Sequence, residues 1–302
     1  MPFHIKYRPQ SFDEVVGNED VVETLKSLLA KGDPPHAYLF GGPTGCGKTT
    51  LARILAKELG SAEGDYREID FADFRGIDTV RDIKEASHFM PMFSKSIVWV
   101  IDEVHKATND AQNAMLKILE DTPKHVYFIL CSTDPQKLLD TIRGRCSQFT
   151  VKPLTDLQMY RLLKRIVKAE GDKLDKEVYD QIVQDSLGLP RNALQILEQT
   201  LAAPPEKRLE VAKQTAEQQS QIIELCRVLL AGGPWSKVSR ILRGLKDENP
   251  ESIRKAVLGY CQSVLLNGEN DMAGVIMEQF LTSVYYNGFP GIVFSCYSII
   301  RS

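Results

Sequence analysis

The stretch Gly42-Pro43-Thr44-Gly45-Cys46-Gly47-Lys48-Thr49 constrains this chain more than any other. It follows an apolar run, Tyr38-Leu39-Phe40, and opens into Leu51-Ala52-Arg53-Ile54-Leu55-Ala56-Lys57, a helix-like segment. Gly, four residues and Gly-Lys-Thr between a strand and a helix is the P-loop pattern. Its glycines let the backbone curl until several N–H groups face one oxyanion, and the helix behind presents its positive end to the same phosphates. Lys48 is expected to neutralise the outer phosphates and the Thr49 hydroxyl to hold Mg²⁺. Pro43, Thr44, Gly45, Cys46, Gly47, Lys48, Thr49 and Thr50 form the expected phosphate-binding segment.

About fifty residues on, Ile97-Val98-Trp99-Val100-Ile101 is a continuous apolar run, as expected of a parallel strand buried on both faces. It ends in Asp102-Glu103-Val104-His105. Two adjacent carboxylates at the C-terminal end of such a strand lie where an α/β sheet binds its ligand. Asp102 is expected to hold Mg²⁺ and Glu103 to polarise an attacking water. The implied unit is an ATP-binding α/β domain. Further strands end at Glu68-Ile69-Asp70 and at Tyr127-Phe128-Ile129-Leu130-Cys131, with helical patterns between, so a parallel, doubly wound sheet is predicted.

With 302 residues, 43% hydrophobic and 25% charged, the chain has room for two or three domains. A net charge of −3 means that any nucleic-acid contact must come from local patches. No run approaches the length of a membrane span, and Met1-Pro2-Phe3-His4-Ile5-Lys6 lacks the apolar core of a signal peptide, so a cytoplasmic protein with no membrane partner is expected. The six scattered cysteines contain no CxxC pair and read as reduced thiols. After Gln148-Phe149-Thr150 the chain reads as helix only, beginning at a capping box, Thr155 with Gln158. Helices are expected at about 156–170, 176–187 and 190–202. Ala203-Pro204-Pro205-Glu206 is the next break. The expected division is 1–152, 153–204 and 205–302.

Five large side chains in a row, Phe89-Met90-Pro91-Met92-Phe93, fit neither a helical period nor a clean alternation, and Pro91 blocks a continuous helix. Such a run suits an exposed patch for a partner's apolar pocket. Folding back onto the sheet as a satellite core is the alternative.

Over nearly its whole length the chain resembles the AAA+ ATPase subunits of sliding-clamp loaders. Lys6-Tyr7-Arg8-Pro9 with Val15-Val16-Gly17 resembles the family's adenine pocket, implying nucleotide contacts from Tyr7, Arg8, Val15 and Val16. Asp102-Glu103-Val104-His105 and Ser132-Thr133-Asp134-Pro135-Gln136-Lys137-Leu138 are similar to the bacterial gamma/tau subunit. Arg75-Gly76-Ile77-Asp78-Thr79-Val80-Arg81-Asp82 and Ala256-Val257-Leu258-Gly259-Tyr260 are similar to the small subunits of replication factor C. The four-cysteine zinc knuckle of the bacterial relatives is absent, since no cysteine lies between Cys46 and Cys131. This mixture suits a bacteriophage clamp loader, working in the host cytoplasm.

The resemblance implies an AAA+ domain, a helical lid and a helical collar for oligomerisation. It implies that Thr133 is the polar group that meets the γ-phosphate or water, and that Arg191 is a lid arginine facing the nucleotide. It also implies that Arg145 of Gly144-Arg145-Cys146 reaches a neighbouring subunit's ATP, with glycine standing where the family has serine. DNA contacts are implied for Arg75, Arg81, Lys84 and Lys106, following the backbone without regard to base sequence. Clamp contacts are implied for Phe89, Met90, Met92 and Phe93. The partners implied are a sliding clamp, primer–template DNA and other clamp-loader subunits in a homo- or hetero-oligomeric, pentameric spiral. The rival functions are another AAA+ DNA remodeller, such as a branch-migration helicase, and a non-hydrolysing structural subunit. Intact Lys48, Thr49, Asp102 and Glu103 speak against the second rival.

Overall fold

The computed structural model describes residues 1–219, 221–284 and 287–301. It divides into two compact units, residues 5–154 and residues 1–4 with 155–302.

The first unit opens with α1 (Phe3–Lys6), whose start belongs to the other unit, and α2 (Glu19–Ala30). Strand and helix then alternate: β1 (Ala37–Gly41), α3 (Lys48–Glu58), β2 (Tyr66–Asp70), α4 (Ile77–Ser87), β3 (Ile97–Asp102), α5 (Asn109–Glu120), β4 (Val126–Ser132), α6 (Asp140–Arg143) and β5 (Ser147–Thr150). All five strands are parallel, in the order β2-β3-β4-β1-β5. Every residue of β1 is buried, as are the first five of β3, which is why these strands read as unbroken apolar runs. Leu51, Ala52, Ile54, Leu55 and Ala56 of α3 are buried in this unit. Val80 and Ile83 of α4, with Ala111, Met115 and Ile118 of α5, share a core with Leu39, Trp99, Phe128 and Leu130 of the strands.

Register places the functional ends together. Gly41 pairs with Ser132, and Asp70 with Asp102, so the C-terminal ends of four strands form one edge. β4 lies between the P-loop strand and the acidic strand, and therefore brings Ser132 and Thr133 to the middle of that edge. Val104–Lys106 is a single 3₁₀ turn, and α5 begins at Asn109 behind the Thr108 cap. β5 was not foreseen as a strand.

The second unit is helical throughout its described residues. α7 (Asp156–Ala169) starts at a complete capping box, in which Thr155 N–H donates to Gln158 Oε1 and Gln158 N–H donates to Thr155 Oγ1. α8 (Lys176–Asp185) and α9 (Pro190–Ala202) follow, with Pro190 at the first helical position. Then come α10 (Arg208–Gln219), α11 (Gln221–Leu230), α12 (Trp235–Gly244), α13 (Pro250–Asn267), α14 (Asp271–Phe280) and α15 (Gly288–Arg301). The expected border near residue 204 falls inside this unit, where α10 packs on α8 and α9. Arg208 donates to both carboxylate oxygens of Asp172, at 3.1 and 2.7 Å. The carboxyl of Asp185, at the end of α8, is fully buried and accepts from Arg227 of α11 at 2.6 Å and Gln181 at 2.8 Å.

All six cysteines are buried and none forms a disulfide. Burial raises the thiols of Cys131, Cys146, Cys226, Cys261 and Cys296: Cys146 and Cys296 are pushed up to about 12 and Cys261 to about 11. Among the described residues no helix is long and apolar enough to cross a membrane.

Candidate nucleotide site

The loop between β1 and α3 is shaped by its glycines. Gly42 has φ +155°, and a Cβ there would lie 2.2 Å from the Val151 carbonyl oxygen, so a side chain is sterically barred. Gly47, at φ +108°, turns the chain into α3. Lys48 is the first residue of that helix; its ammonium is buried and donates to the carbonyls of Gly42 and Pro43 at 2.9 and 3.1 Å. The lysine thus lies across its own loop, with both partners replaceable by phosphate oxygens.

At the next residue, Thr49 Oγ1 donates to Asp102 Oδ2 at 2.7 Å. Asp102 Oδ1 accepts from the Glu103 N–H at 2.9 Å, which fixes the carboxylate. A hydroxyl and a carboxylate in contact at the N-terminus of a helix are a hard-oxygen pair that fits Mg²⁺.

Glu103 has φ +49°, a left-handed conformation unusual for a residue with a side chain. The turn separates the two acids. Glu103 Oε2 accepts from Thr133 Oγ1 at 3.3 Å and lies 3.4 Å from His105 Nε2. His105 Nδ1 is 3.2 Å from Ser132 Oγ, so the imidazole bridges the acidic turn and the end of β4. Burial pushes the Glu103 carboxyl above its usual range, Lys48 opposes this and Asp102 adds to it. Burial, reinforced by Lys106 and Lys137, lowers the His105 imidazole below its ordinary value. This favours the neutral imidazole, which hydrogen-bonds without contributing a positive charge. The sequence places His105 at the end of the Asp102–His105 motif but gives it no role. Its only signal was a position two residues beyond Glu103.

Tyr7, Arg8, Val15 and Val16 are half-buried in this unit. Arg8 is close enough to Glu68 to lower that carboxyl electrostatically, though burial acts the other way and Arg53 contributes more. Arg145 is exposed; it donates to Thr141 O at 2.8 Å and pairs with Glu120 at the end of α5. Arg191 is exposed in the first turn of α9, in the helical unit.

The four expected DNA-contacting residues are all exposed. The carbonyl of Arg75 accepts from Thr108 N–H at 3.1 Å, which ties the turn before α4 to the turn bearing Lys106. Arg81 is paired with Asp78 at 2.8 Å. Phe89, Met90, Met92 and Phe93 are between 68% and 82% exposed, so the run is not a satellite core. Phe93 touches Gly64, where an added Cβ would come within 2.6 Å of the ring. Beneath the run, buried Asp65 accepts from the N–H groups of Met92 and Phe93 at 3.0 and 2.7 Å and from Ser94 Oγ at 2.7 Å. Burial acts to raise this carboxyl, but these bonds outweigh it and hold it below its usual value. The sequence reading did not find Asp65.

Comparison with known proteins agrees with this geometry. A family profile described as DNA polymerase III, delta subunit, matches residues 63–155. The DNA polymerase III subunit gamma/tau of Mycobacterium tuberculosis is 39% identical over 225 residues, which are 67% of this chain and 39% of that protein. The DNA polymerase III subunit tau of Bacillus subtilis is 36% identical over 217 residues, 65% of this chain and 38% of that protein. The DNA polymerase III subunit gamma of Buchnera aphidicola is 34% identical over 217 residues, 65% of this chain and 60% of that protein. This chain thus spans less than two thirds of the length of these relatives. Among solved structures, the Thermotoga maritima RuvB Holliday junction branch migration motor shares the fold, with a TM-score of 0.60 over 91% of this chain and 90% of that one at 20% identity. Over about two thirds of its length the chain is therefore similar to the DNA polymerase III gamma/tau subunits, and it shares its fold with RuvB.

Proposed function

We propose that the chain is an ATPase subunit of a sliding-clamp loader. ATP binding readies an assembly of such subunits to open the clamp and accept primer–template DNA, and hydrolysis releases the clamp on the DNA. The observation that carries this reading is the convergence of Lys48, Thr49, Asp102, Glu103 and Thr133 on one sheet edge, in a chain related to gamma/tau. Lys48 moves from the carbonyls of its own loop to the phosphates. Thr49 and Asp102 would hold Mg²⁺, which when bound would supply positive charge toward the phosphates. Glu103, held by Thr133 and His105, orients the water and takes its proton. Tyr7, Arg8, Val15 and Val16 hold the base, and Arg191 acts from a lid within residues 153–204. Arg145 serves the site of the next subunit, with residues 205–302 as the collar. The exposed run Phe89–Phe93 docks on the clamp. Arg75, Arg81, Lys84 and Lys106 follow the phosphate backbone. A cytoplasmic location accords with these partners.

The RuvB-like fold makes a branch-migration motor the main rival. The test is ATP turnover by the purified chain, with any partner subunits it requires, with and without clamp and primer–template. Stimulation by clamp and primed DNA together is expected. Stimulation by a four-way junction alone would favour the rival, and no turnover under any condition would favour a structural subunit.

A further inference from the structure

The outer face of α7 carries charge of one sign only. Its inner face, Met159, Leu162, Leu163, Ile166 and Val167, is buried in the helical unit. Arg161, Lys164, Arg165 and Lys168 are all exposed. No acid occurs between Asp156 and Glu170, so these four cations follow one another without an intervening carboxylate, in a chain whose net charge is −3. Arg161, Lys164 and Lys168 succeed one another at spacings of three and four residues and share one face, with Arg165 beside them. Like charges at these spacings repel, and a surface helix ordinarily relieves this with an acid one turn away. The stretch from Arg161 to Lys168 contains no such acid. The Lys164 ammonium lies 4.9 Å from the centre of the Tyr160 ring, which itself meets Tyr179 at 5.1 Å, so one of the cations is steadied over an aromatic pair.

The chemistry of this face narrows the partner. With a negative net charge, the chain can hold a polyanion only through a local patch of this kind. A membrane surface does not fit, because the apolar side of α7 is already buried and cannot insert. A folded protein would need an apolar centre to its contact, and Leu157, 61% exposed in the first turn, is the one large apolar side chain that α7 exposes. A phosphodiester backbone needs no such centre. Its charges recur about every 3.4 Å along a duplex strand, and Arg161 to Lys168 spans about 10 Å of helix, room for about three phosphates. Guanidinium groups can each hold a phosphate through two parallel hydrogen bonds.

We propose that the outer face of α7 is a second nucleic-acid track, holding a phosphodiester backbone through Arg161, Lys164 and Lys168, with Arg165 alongside. It belongs to the helical unit, whereas Arg75, Arg81, Lys84 and Lys106 belong to the other, and it adds to them. Contacts to phosphate carry no base information, so binding ignores sequence. The track is carried by the charge of the helix itself and does not rest on the clamp-loader reading.

The test is fluorescence anisotropy of the full chain with a labelled duplex and with labelled oligothymidylate, without ATP or clamp, over a salt series. The background protein carries Arg75→Gln, Arg81→Gln, Lys84→Gln and Lys106→Gln, which remove the expected contacts of the other unit. It should still bind DNA. Adding Arg161→Gln, Lys164→Gln and Lys168→Gln should weaken that binding about tenfold or more at low salt. The salt slope should become shallower by about 3 on duplex, or by about 2 on single strand. Loss on one DNA form alone supports the proposal and identifies the form that the track takes. Arg161→Lys with Lys164→Arg and Lys168→Arg keeps the charge and should bind as the background does. Glutamine is a good helix former, so the three Gln changes alone should leave melting and DNA-free ATP turnover as in wild type. A folded background that binds neither DNA, binding unaltered by the three Gln changes, or an equal loss in the charge-keeping variant would each overturn the proposal. So would tighter binding of polyglutamate than of either DNA, which would make the face a seat for an acidic protein segment. Failure of clamp-stimulated turnover would leave these binding results unchanged and would count only against the functional reading.

Discussion

At the scale of single residues, the left-handed turn at Glu103 separates the work of two neighbouring acids. Asp102 is held by Thr49 and by the next N–H, whereas Glu103 is turned toward Thr133 and His105. Glu103→Gln is expected to bind ATP as wild type does and to hydrolyse it at least 10²-fold more slowly, as expected for the loss of a general base. Wild-type turnover by this variant would show that the acids are wrongly assigned. Lys48→Ala should lose ATP binding, measured by equilibrium titration. Because burial raises the Glu103 carboxyl, the acid limb of the turnover profile should lie above the ordinary glutamate range, with activity falling as pH drops through it. Adjacent acids after an apolar strand could be read from the sequence, as could the P-loop spacing. The turn and the part played by His105 could not, because both depend on β4 lying beside β3.

At the scale of elements, two segments carry the expectations about partners. The Phe89–Phe93 run announced itself by fitting no secondary-structure period, and its exposure follows from the same fact. Its support was hidden, since Asp65 lies 27 residues before Met92. Met90→Ser with Met92→Ser should abolish clamp binding in a pull-down while the melting temperature stays within about 2 °C, because exposed side chains contribute little to stability. A large drop in melting temperature with clamp affinity intact would overturn the assignment. Asp65→Ala should instead destabilise the loop by about 1–3 kcal/mol per N–H left buried and unsatisfied, seen as faster amide exchange at Met92 and Phe93. Arg145 is held by Glu120 at the end of α5, so it must leave or share that partner to reach a neighbour. Mixing Arg145→Ala with Lys48→Ala protein should restore part of the turnover, and no recovery in a confirmed mixed assembly would count against a shared site. The four-residue β5 escaped notice because Ser147-Gln148-Phe149-Thr150 is too short to show a period.

At the scale of the whole molecule, the order of strands and helices was legible from alternation and breaks. The polar ties within the helical unit were not, because Asp185 reaches across 42 residues to Arg227. Burial pushes its carboxyl up to about 6, with Arg227 and Gln181 pulling the other way. A carboxyl raised above its unfolded value of 3.8 favours the folded state below that value and loses this contribution as pH rises through about 6. The difference is on the order of 3 kcal/mol. Asp185→Asn should flatten the dependence of the denaturant midpoint on pH between 4 and 7, and an unchanged slope would rule the residue out. The buried cysteines have a different consequence. Cys46, Cys131 and Cys146 lie in one unit and Cys226, Cys261 and Cys296 in the other. A thiol reagent can reach them only when the surrounding structure opens, so labelling rates become clocks of local opening. With three such clocks in each unit, mass spectrometry of the labelled peptides could time the two units separately in a single reaction. Cys46, inside the P-loop, should slow selectively when nucleotide closes over it.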